Sequence, residues 1–409
     1  MPDRRRSVLS VEEALARILE TVRVLEPERV GLLGAAGRVL AEPVTADRDI
    51  PPLTNAAMDG YAVRGADVAH AAEGDPARLQ VVGEVAAGQV SPLAVEPGTA
   101  VRIMTGAPVP TGADTVVRFE DTRSQSGWIE VLKPYSTGKN VRQAGEDVRA
   151  GQVVLEPGKV LRPQEIGMLA AVGCVEAMVT RRPRVAILAT GDEIVPPDRT
   201  PGPGQIRDAN SYTVAAQVQA FGGIPLLLGT ARDREELVRQ GMREALAQKA
   251  DFIITSGGVS VGDFDLVKRV LAAEGEMHFW SLNMKPGRPL AFGVVNGIPL
   301  LGLPGNPVAA AISTELFARP ALLKMQGFTD WSRPMAVARL AQPIRRKDGR
   351  RHYLRVRLHE TAAGFEATLT GDQGSGILTS MVQANGLAVI PAQADHLPAG
   401  ADVEVILLD

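Results

Sequence analysis

The chain has 409 residues, too many for one hydrophobic core, so we expect two to four domains. Its 44 Lys and Arg residues and 47 Asp and Glu residues give a net charge of −3, which argues against nucleic acid as a partner. Cys174 is the only cysteine, which excludes an internal disulfide and a cysteine-built metal site and fits a reducing, cytoplasmic location. Apolar segments are too short to cross a bilayer, so no membrane contact is expected.

The first 180 residues predict a helix followed by β-rich segments. Ser10 and Glu13 form a capping-box pattern before an apolar stripe, which predicts a helix from Ser10 to Leu25. From about residue 31 to 157, short β-branched runs alternate with Gly and Pro turns, which predicts small antiparallel sheets. Pro163 predicts the start of a second helix and Gly173 its end.

The region from 184 to about 325 alternates strands and helices, and the predicted elements after Trp331 are again strands. Such alternation predicts a doubly wound, parallel α/β domain. The later strands predict a small C-terminal barrel or sandwich. The expected α/β elements are strands at 185–189, 225–228, 252–255 and 300–303, helices at 211–221, after Asp233 and Glu236, and after Pro307; the later strands are 336–340, 353–358, 387–390 and 403–407.

Loops at the ends of these strands, and one loop between them, combine Gly with charged side chains. Glycine lets the backbone approach a phosphate, carboxylates are ligands for Mg²⁺, and Lys and Arg neutralise an anionic ligand. The segments are Thr190-Gly191-Asp192-Glu193, Ser256-Gly257-Gly258 with Asp265 beyond it, Lys285 to Arg288, and Pro304-Gly305-Asn306-Pro307. Together they predict a site for a magnesium-bound nucleotide or phosphoester.

One short pattern favours a different chemistry. Residues 258–262 read Gly-Val-Ser-Val-Gly, which matches the nucleophile elbow of serine hydrolases, and histidines follow downstream. The sequence has no His-Gly-Gly-Gly oxyanion segment, so we expect Ser260 to line or cap the loop instead. Walker and dinucleotide-binding fingerprints are also absent from the sequence.

Many further motifs follow one another in a fixed order along nearly the whole chain. They read Asn-Ala-Ala-Met-Asp-Gly-Tyr-Ala-Val at 55–63, Arg-Ile-Met-Thr-Gly-Ala-Pro at 102–108, Asn-Val-Arg at 140–142, Gly-Glu-Asp at 145–147, Gly-Asp-Gln-Gly-Ser at 371–375 and Ala-Asn-Gly-Leu at 384–387. With the strand-end loops, these segments resemble the molybdopterin molybdenumtransferases, a family that includes the E domain of gephyrin.

The resemblance implies a fold, a reaction and partners. The fold is a four-domain subunit, which we divide into a mixed α+β domain of 1–50 and 140–180, a β-rich domain of 51–139, the α/β domain of 181–328 and a C-terminal β-barrel of 329–409. The reaction is insertion of molybdenum from molybdate into adenylylated molybdopterin, with Mg²⁺ as cofactor and AMP as a product. The partners are a second subunit that shares the cleft, a molybdopterin adenylyltransferase and molybdoenzyme apoproteins.

The resemblance also implies roles for individual residues. For Thr105 and Asp147, a purely structural role in turns is an equal alternative. The expected roles are catalytic for Asp59, Glu193 and Lys285; substrate- or nucleotide-binding for Thr105, Asp147, Thr190, Gly191, Asp192, Ser256, Gly257, Gly258, Pro304, Gly305, Asn306 and Pro307; molybdate-binding for Lys285, Arg288, Arg355 and Ser375; and metal-binding for Glu193, Asp233 and Asp265.

The sequence departs from the common family pattern at Ser281, where some relatives carry lysine, and at Ala309 and Gly376, where serine and histidine are frequent. These departures concern how molybdate is coordinated and leave the fold prediction unchanged. Two alternative functions stay open: an adenylyltransferase that acts one step earlier, and a gephyrin-like scaffold without catalysis. The β-rich regions on both sides of the α/β domain favour the insertase over the first alternative. The charged residues Asp59, Glu193, Asp265 and Lys285 favour it over the second.

Overall fold

The computed structural model describes residues 8–231, 234–257 and 275–408. The chain divides into two compact units, one of Arg29–Met178 and one that combines Met1–Glu28 with Val179–Asp409. No helix within the described ranges is long and apolar enough to span a membrane.

The unit of residues 29–178 contains a six-stranded sheet and several two-stranded pairings. The sheet runs, from edge to edge, Thr115–Arg118, Gly60–Val63, Thr99–Ile103, Ala77–Val85, Trp128–Val131 and Thr122–Gln125. One of its pairings, between Ala77–Val85 and Thr99–Ile103, is parallel, so the sheet is mixed where antiparallel pairing was expected. The other elements are strands Val44–Thr45, Asn55–Ala56, Val141–Arg142 and Val153–Leu155, helices Leu32–Ala35, Gly65–Val68 and Pro163–Ala171, and a 3₁₀ turn Phe119–Asp121.

The helix Pro163–Ala171 begins at the expected proline. Gly173 follows its end with φ +83°, the left-handed conformation that glycine adopts without steric cost. The prediction of this helix is therefore confirmed at both ends. Short strands Pro27–Gly31 and Glu176–Thr180 lie where the chain passes between the two units.

The other unit is built on a seven-stranded sheet. Its strands run in the order Val8–Leu9, Gly275–Leu282, Pro289–Val295, Ile298–Leu303, Phe252–Ser256, Arg184–Thr190 and Ile224–Ala231. The last four strands of that order pair in parallel, as the alternation of strands and helices predicted.

One strand of this sheet runs opposite to all the others, so the sheet is mixed where a parallel one was expected. Pro289–Val295 pairs antiparallel with both Gly275–Leu282 and Ile298–Leu303. A two-residue loop joins it to Ile298–Leu303, and both loop residues, Asn296 and Gly297, have positive φ (50° and 82°). This geometry suits a hairpin turn, which forces its two strands to run in opposite directions.

Helices cover both faces of the parallel strands. Val185 and Ile187 of one strand share a core with the helices Asn210–Ala220 and Pro307–Ser313. The residues between them, Ala186 and Leu188, pack instead against the helix Glu235–Ala247. Because successive side chains of a strand point to opposite faces, the α/β domain is doubly wound, as expected. The chain continues from Ser313 through a π-helical turn, Thr314–Ala318, into the helix Arg319–Met325.

The first described residues pack on the α/β core. Val8–Leu9 pairs in parallel with Ser281 and Leu282 at the sheet edge. The helix Val11–Thr21 follows, and Ser10 and Glu13 form the expected reciprocal capping box. The helix ends four residues before the predicted Leu25, where the chain turns extended at Val22. The sequence-based division had grouped these residues with 140–180.

Residues 335–407 form a closed barrel of five strands. In order around the barrel, they are Arg351–Thr361, Gly364–Leu369, Met335–Leu340, Asp402–Leu407 and Gly386–Ile390, which pairs back with the first. Four of the five were predicted from sequence. The helix Leu378–Val382 and the short strands Ile344–Arg345 and His396–Leu397 complete the region.

One further strand connects the α/β domain to this barrel. Met284–Lys285 belongs to the connection between two strands of the α/β sheet, yet it pairs in parallel with Arg351 and His352 of the barrel. The backbone of Lys285 is therefore held by strand pairing with the C-terminal domain.

Candidate functional site

Glycine turns at the ends of three parallel strands meet around a cavity of about 390 Å³, which we call the glycine cavity. Gly257 has φ +90°, and a Cβ placed on it would lie 2.4 Å from the carbonyl oxygen of Thr190. Gly305 lies next to Gly257: a Cβ placed on Gly305 would be 3.7 Å from the Cα atom of Gly257. The turns approach so closely only because these positions carry no side chain. The described residues that line the cavity include Thr190, Glu193, Ser256, Gly257, Gly305, Asn306 and Pro307.

Side chains from a neighbouring segment complete this cavity and were missed by the sequence analysis. Asn210 donates from Nδ2 to the carbonyl oxygen of Gly305 at 2.8 Å. This hydrogen bond connects the start of the helix Asn210–Ala220 to the Gly305 turn. Asp208 is buried and accepts from the backbone N–H of Ser211 at 3.0 Å. Asp208 and Asn210 come just before the predicted helix start at Ser211, and Asp and Asn at such positions signal a helix N-terminus, so both could have been recognised from the sequence.

A second cavity, of about 660 Å³, has three cationic residues and one acidic residue, Asp372, in its lining, and we call it the basic cavity. Lys285, Arg288 and Arg350 all line it. Asn306 lines both cavities and donates from Nδ2 to Ser375 Oγ at 2.9 Å. The expected Lys285–Arg288 loop and the Pro304–Pro307 loop are thus brought together with Ser375, and Arg350 is a cation that the sequence analysis did not include.

Two of the three departures from the family pattern belong to this region by geometry. Ser281 Oγ accepts a hydrogen bond from Arg288 Nε at 3.0 Å, so the serine orients the arginine. Ala309 lines the basic cavity and is buried. At Gly376, a Cβ would meet no atom within 4 Å, so the glycine leaves space beside Ser375.

Lys285 lines both the basic cavity and a third cavity of about 620 Å³, whose other lining residues, apart from Pro286, belong to the C-terminal domain; we call it the barrel cavity. The Nζ atom of Lys285 is 3.7 Å from Oδ2 of Asp348, and its side chain is 50% exposed. This is an ion pair without a hydrogen bond, because the separation exceeds hydrogen-bond length.

Asp348 is held by shorter contacts to two other residues. His352 Nε2 lies 2.8 and 3.0 Å from the two carboxylate oxygens, and Arg350 Nη2 lies 2.8 Å from Oδ2. Burial opposes the charge on Asp348, but the hydrogen bonds from His352 and Arg350 hold the pKa of its carboxyl well below the usual range. Burial lowers the pKa of His352, so its ring is neutral at pH 7 and donates from Nε2 to the ionised carboxylate.

Arg355 supports the loop beside the basic cavity from within the barrel. It is completely buried, and burial lowers the pKa of its guanidinium to about 10. Its Nε donates to Ser380 Oγ and its Nη2 to the carbonyl oxygen of Gly374, each at 3.0 Å. Within the described ranges its Nη1 has no hydrogen-bond partner. Most of this guanidinium therefore positions the 372–375 loop, and one donor is left.

The remaining expected residues lie in the unit of residues 29–178. Asp59 is exposed, and its Oδ1 accepts from both the backbone N–H and the hydroxyl of Thr105, each at 2.7 Å. The backbone hydrogen bond, then the hydroxyl, lowers the pKa of Asp59. Asp147 is exposed and lines a separate cavity of about 480 Å³ with Asn55 and Arg142. Asp59 and Thr105 thus form a hydrogen-bonded pair, a contact that the sequence analysis did not predict.

The expected metal ligands are described only in part. Glu193 is exposed at the rim of the glycine cavity, and its carboxylate oxygens lie within 2.8 Å of the position that a Cβ on Gly191 would take. Asp233, Asp265 and Gly258, together with Ser260, lie outside the described residues. Among the residues that are described, no three His, Cys, Asp or Glu side chains cluster as a metal site. One carboxylate beside strand-end hydroxyls fits Mg²⁺, which takes few protein ligands and completes its shell with phosphate oxygens and water.

Strand-end glycine turns beside a cation-lined cavity define an anion-binding α/β protein. Comparison with known proteins makes this class specific. Three family models match: the MoeA N-terminal region (domain I and II) at residues 9–173, a probable molybdopterin binding domain at 186–324 and the MoeA C-terminal region (domain IV) at 337–408.

Relatives match over nearly the whole chain. A molybdopterin molybdenumtransferase of Nostoc sp. is 39% identical over 94% of this chain and 89% of its own length. Molybdopterin molybdenumtransferase 2 of Mycobacterium tuberculosis is 37% identical over 97% of this chain and 98% of its own. A crystal structure of the molybdopterin biosynthesis MoeA protein from Pyrococcus horikoshii, 34% identical, covers 98% of this chain and 100% of its own with a TM-score of 0.84. The chain belongs to the molybdopterin molybdenumtransferase family.

Proposed function

We propose that the protein transfers molybdenum from molybdate into adenylylated molybdopterin, with hydrolysis of the phosphoanhydride and release of molybdenum cofactor and AMP. Family membership supports the overall reaction. The observation that carries the assignment of the site is that Asn306 lies in the walls of both the glycine cavity and the basic cavity. A nucleotide-linked substrate and an oxyanion could therefore be held side by side.

The glycine cavity is the proposed site for the phosphates of the substrate. Its turns expose backbone at the carboxyl ends of parallel strands, where α/β proteins bind phosphate groups. Thr190, Asp192, Ser256 and Gly257 would contact the nucleotide part, and Asn210 would keep the Gly305 turn in place through its 2.8 Å hydrogen bond.

The basic cavity is the proposed site for molybdate. A dianion next to phosphates requires cations, and Lys285, Arg288 and Arg350 supply them. Ser375 would add a hydroxyl donor. Arg355 lines the barrel cavity and not the basic cavity, so its proposed role in molybdate binding is to hold the 372–375 loop in place.

Glu193 is the described residue that would hold Mg²⁺, and we propose Asp233 and Asp265 as its other protein ligands. When bound, the ion would neutralise charge on the phosphoanhydride as it is hydrolysed. The role of Glu193 is to fix the ion at the rim of the glycine cavity, where the phosphates of the substrate would lie.

Asp59 and Thr105 belong to the other compact unit, and we propose that they act in the cleft of a second subunit of a homodimer. Mixed dimers test this directly: subunits altered at Asp59 are combined with subunits altered at Lys285. Each such dimer contains one cleft with both residues intact, so partial activity should return. Inactive mixtures in which heterodimers demonstrably form would contradict the shared cleft.

Incubation with adenylylated molybdopterin, Mg²⁺ and molybdate tests the reaction, with AMP and active cofactor as readouts. AMP release that depends on molybdate supports the insertase. Adenylylation of molybdopterin with ATP, without molybdate-dependent AMP release, would instead favour the adenylyltransferase. Binding partners without turnover would favour a scaffold. We further propose that the protein acts in the cytoplasm and contacts a molybdopterin adenylyltransferase and molybdoenzyme apoproteins as donor and acceptor.

A further inference from the structure

Lys285 lines two cavities, and the residue that contacts its charged end, Asp348, belongs to the lining of only one of them, the barrel cavity. Lys285 lines both the basic cavity and the barrel cavity, and its backbone is paired with the barrel strand through His352. Its ammonium group lies 3.7 Å from Asp348 Oδ2. Asp348 lines the barrel cavity, as does His352.

Asp348 is a fixed negative charge. Arg350 and His352 hold both of its oxygens at 2.8 to 3.0 Å, and the pKa of its carboxyl stays below the usual range. These two partners already satisfy the carboxylate with hydrogen bonds. Lys285 is the longer and more exposed contact, so it can leave Asp348 without leaving the carboxylate unpaired.

We propose that Asp348 is a positioning residue that holds Lys285 in the free enzyme and competes with the incoming oxyanion for its ammonium group. This inference rests on the proposed function of the basic cavity as the molybdate site. An oxyanion in that cavity draws Lys285 from the carboxylate, and departure of the product returns it. The carboxylate therefore sets the concentration of molybdate at which Lys285 engages the substrate, and it keeps the cation from retaining the anion after insertion.

The sign of this effect separates it from a structural role. Removing the charge of Asp348 frees Lys285, so the molybdate concentration for half-maximal AMP release should fall by about fivefold in Asp348→Asn, the factor expected for two charges at this distance near water. Asparagine keeps an oxygen that accepts from His352. A contact needed only for folding would weaken molybdate binding or lower stability instead.

The experiment measures molybdate titrations of AMP release, and calorimetric binding of molybdate alone, for a set of variants. Asp348→Asn and Asp348→Ser both remove the charge, so the result does not depend on one variant folding. Asp348→Glu retains the charge and should keep the molybdate requirement within about twofold of the unaltered protein. Asp395→Asn changes net charge equally at an exposed site of the same domain and should have no effect.

A double variant shows whether Asp348 acts through Lys285. In a Lys285→Ala background, Asp348→Asn should lower the molybdate requirement by much less than about fivefold, because the lysine is gone and only the release of Arg350 remains. An unchanged or raised molybdate requirement in folded Asp348→Asn, or an equal decrease in the Lys285→Ala background, would overturn the inference. If Lys285→Ala itself leaves the molybdate dependence unchanged, the proposed molybdate site fails and this inference fails with it.

Discussion

The glycine cavity and the basic cavity share Asn306 but are built from different parts of the polypeptide. The walls of the first are backbone turns that approach within contact distance because Gly257 and Gly305 lack side chains. The second is walled by charged side chains whose positions depend on Ser281 and Asp348. Shape in the first follows from the fold, so an added methyl group should disturb it. If the second binds molybdate as proposed, its affinity depends on charge, so substitutions there should change the affinity without loss of fold.

The largest expected effect is on the glycine cavity, in Gly257→Ala. The new Cβ would lie 2.4 Å from a backbone oxygen, and alanine would be held at φ +90°. We expect a loss of about 3 kcal/mol of stability by denaturant unfolding, and loss of AMP release. Gly305→Ala is the matched control, because its Cβ would have 3.7 Å of clearance. Equal stabilities of the two variants would show that the close approach of the turns does not constrain this cavity.

In the basic cavity, Lys285→Ala should leave the fold intact and raise the molybdate requirement more than about tenfold. Removing an exposed charge usually changes stability by less than about 0.5 kcal/mol, so the melting temperature should be nearly unchanged. Lys347→Ala, an exposed lysine of the barrel cavity, controls for net charge. A Lys285→Ala protein with normal molybdate dependence would remove this lysine from the site.

Glu193→Gln tests whether a charged residue at the rim of the glycine cavity affects turnover without affecting stability. The carboxylate is exposed, so its replacement should change the unfolding free energy by less than about 0.5 kcal/mol. AMP release at saturating molybdate should slow by at least about tenfold, because one hard oxygen ligand for Mg²⁺ is lost. Asp198→Asn removes an exposed carboxylate from the same connection and serves as control. Normal turnover per folded molecule, with lowered stability, would make Glu193 structural.

The smallest expected effect is that of Ser281→Lys. A lysine there adds a cation to the basic cavity but removes the oxygen that accepts from Arg288 Nε. We expect the molybdate requirement to fall by about twofold or to stay unchanged. Ser281→Ala isolates the loss of the acceptor. A raised requirement in Ser281→Lys that matches Ser281→Ala would mean that the orientation of Arg288 matters more than the added charge.

Local sequence signals predicted the elements that depend on local chemistry. The Ser10–Glu13 capping box, the Pro163 helix start and the four parallel strands of the α/β domain all lie where the residues indicated. The antiparallel strands Gly275–Leu282 and Pro289–Val295 were missed, although Asn296-Gly297 is a strong hairpin signal. The pairing of Val8–Leu9 with the sheet edge has no local signature, because strand partners distant in sequence are chosen by the whole fold.

The grouping of the candidate loops could be predicted from the sequence, whereas the contacts of their side chains could not. Glycine turns and the Lys285–Arg288 loop were recognised from composition, and the structure places them around two adjoining cavities. Asp348 and Arg350 were not recognised, because an Asp-Gly-Arg segment before a strand reads as an ordinary turn. Their importance appears only when the barrel strand brings them beside a lysine more than 60 residues earlier in the chain.

The pairing of Met284–Lys285 with the barrel strand has a consequence for how this architecture can be recombined. A C-terminal domain that contributes a backbone partner to the Lys285 segment is not an interchangeable module. In a chimaera that carries a relative's barrel, the graft would have to reproduce the hydrogen-bonding edge at Arg351 and His352, or the lysine would lose its anchor even though both halves fold. Compatibility between the two domains therefore depends on this two-residue strand. Exchange of the α/β domain and the barrel together should succeed where exchange of the barrel alone fails.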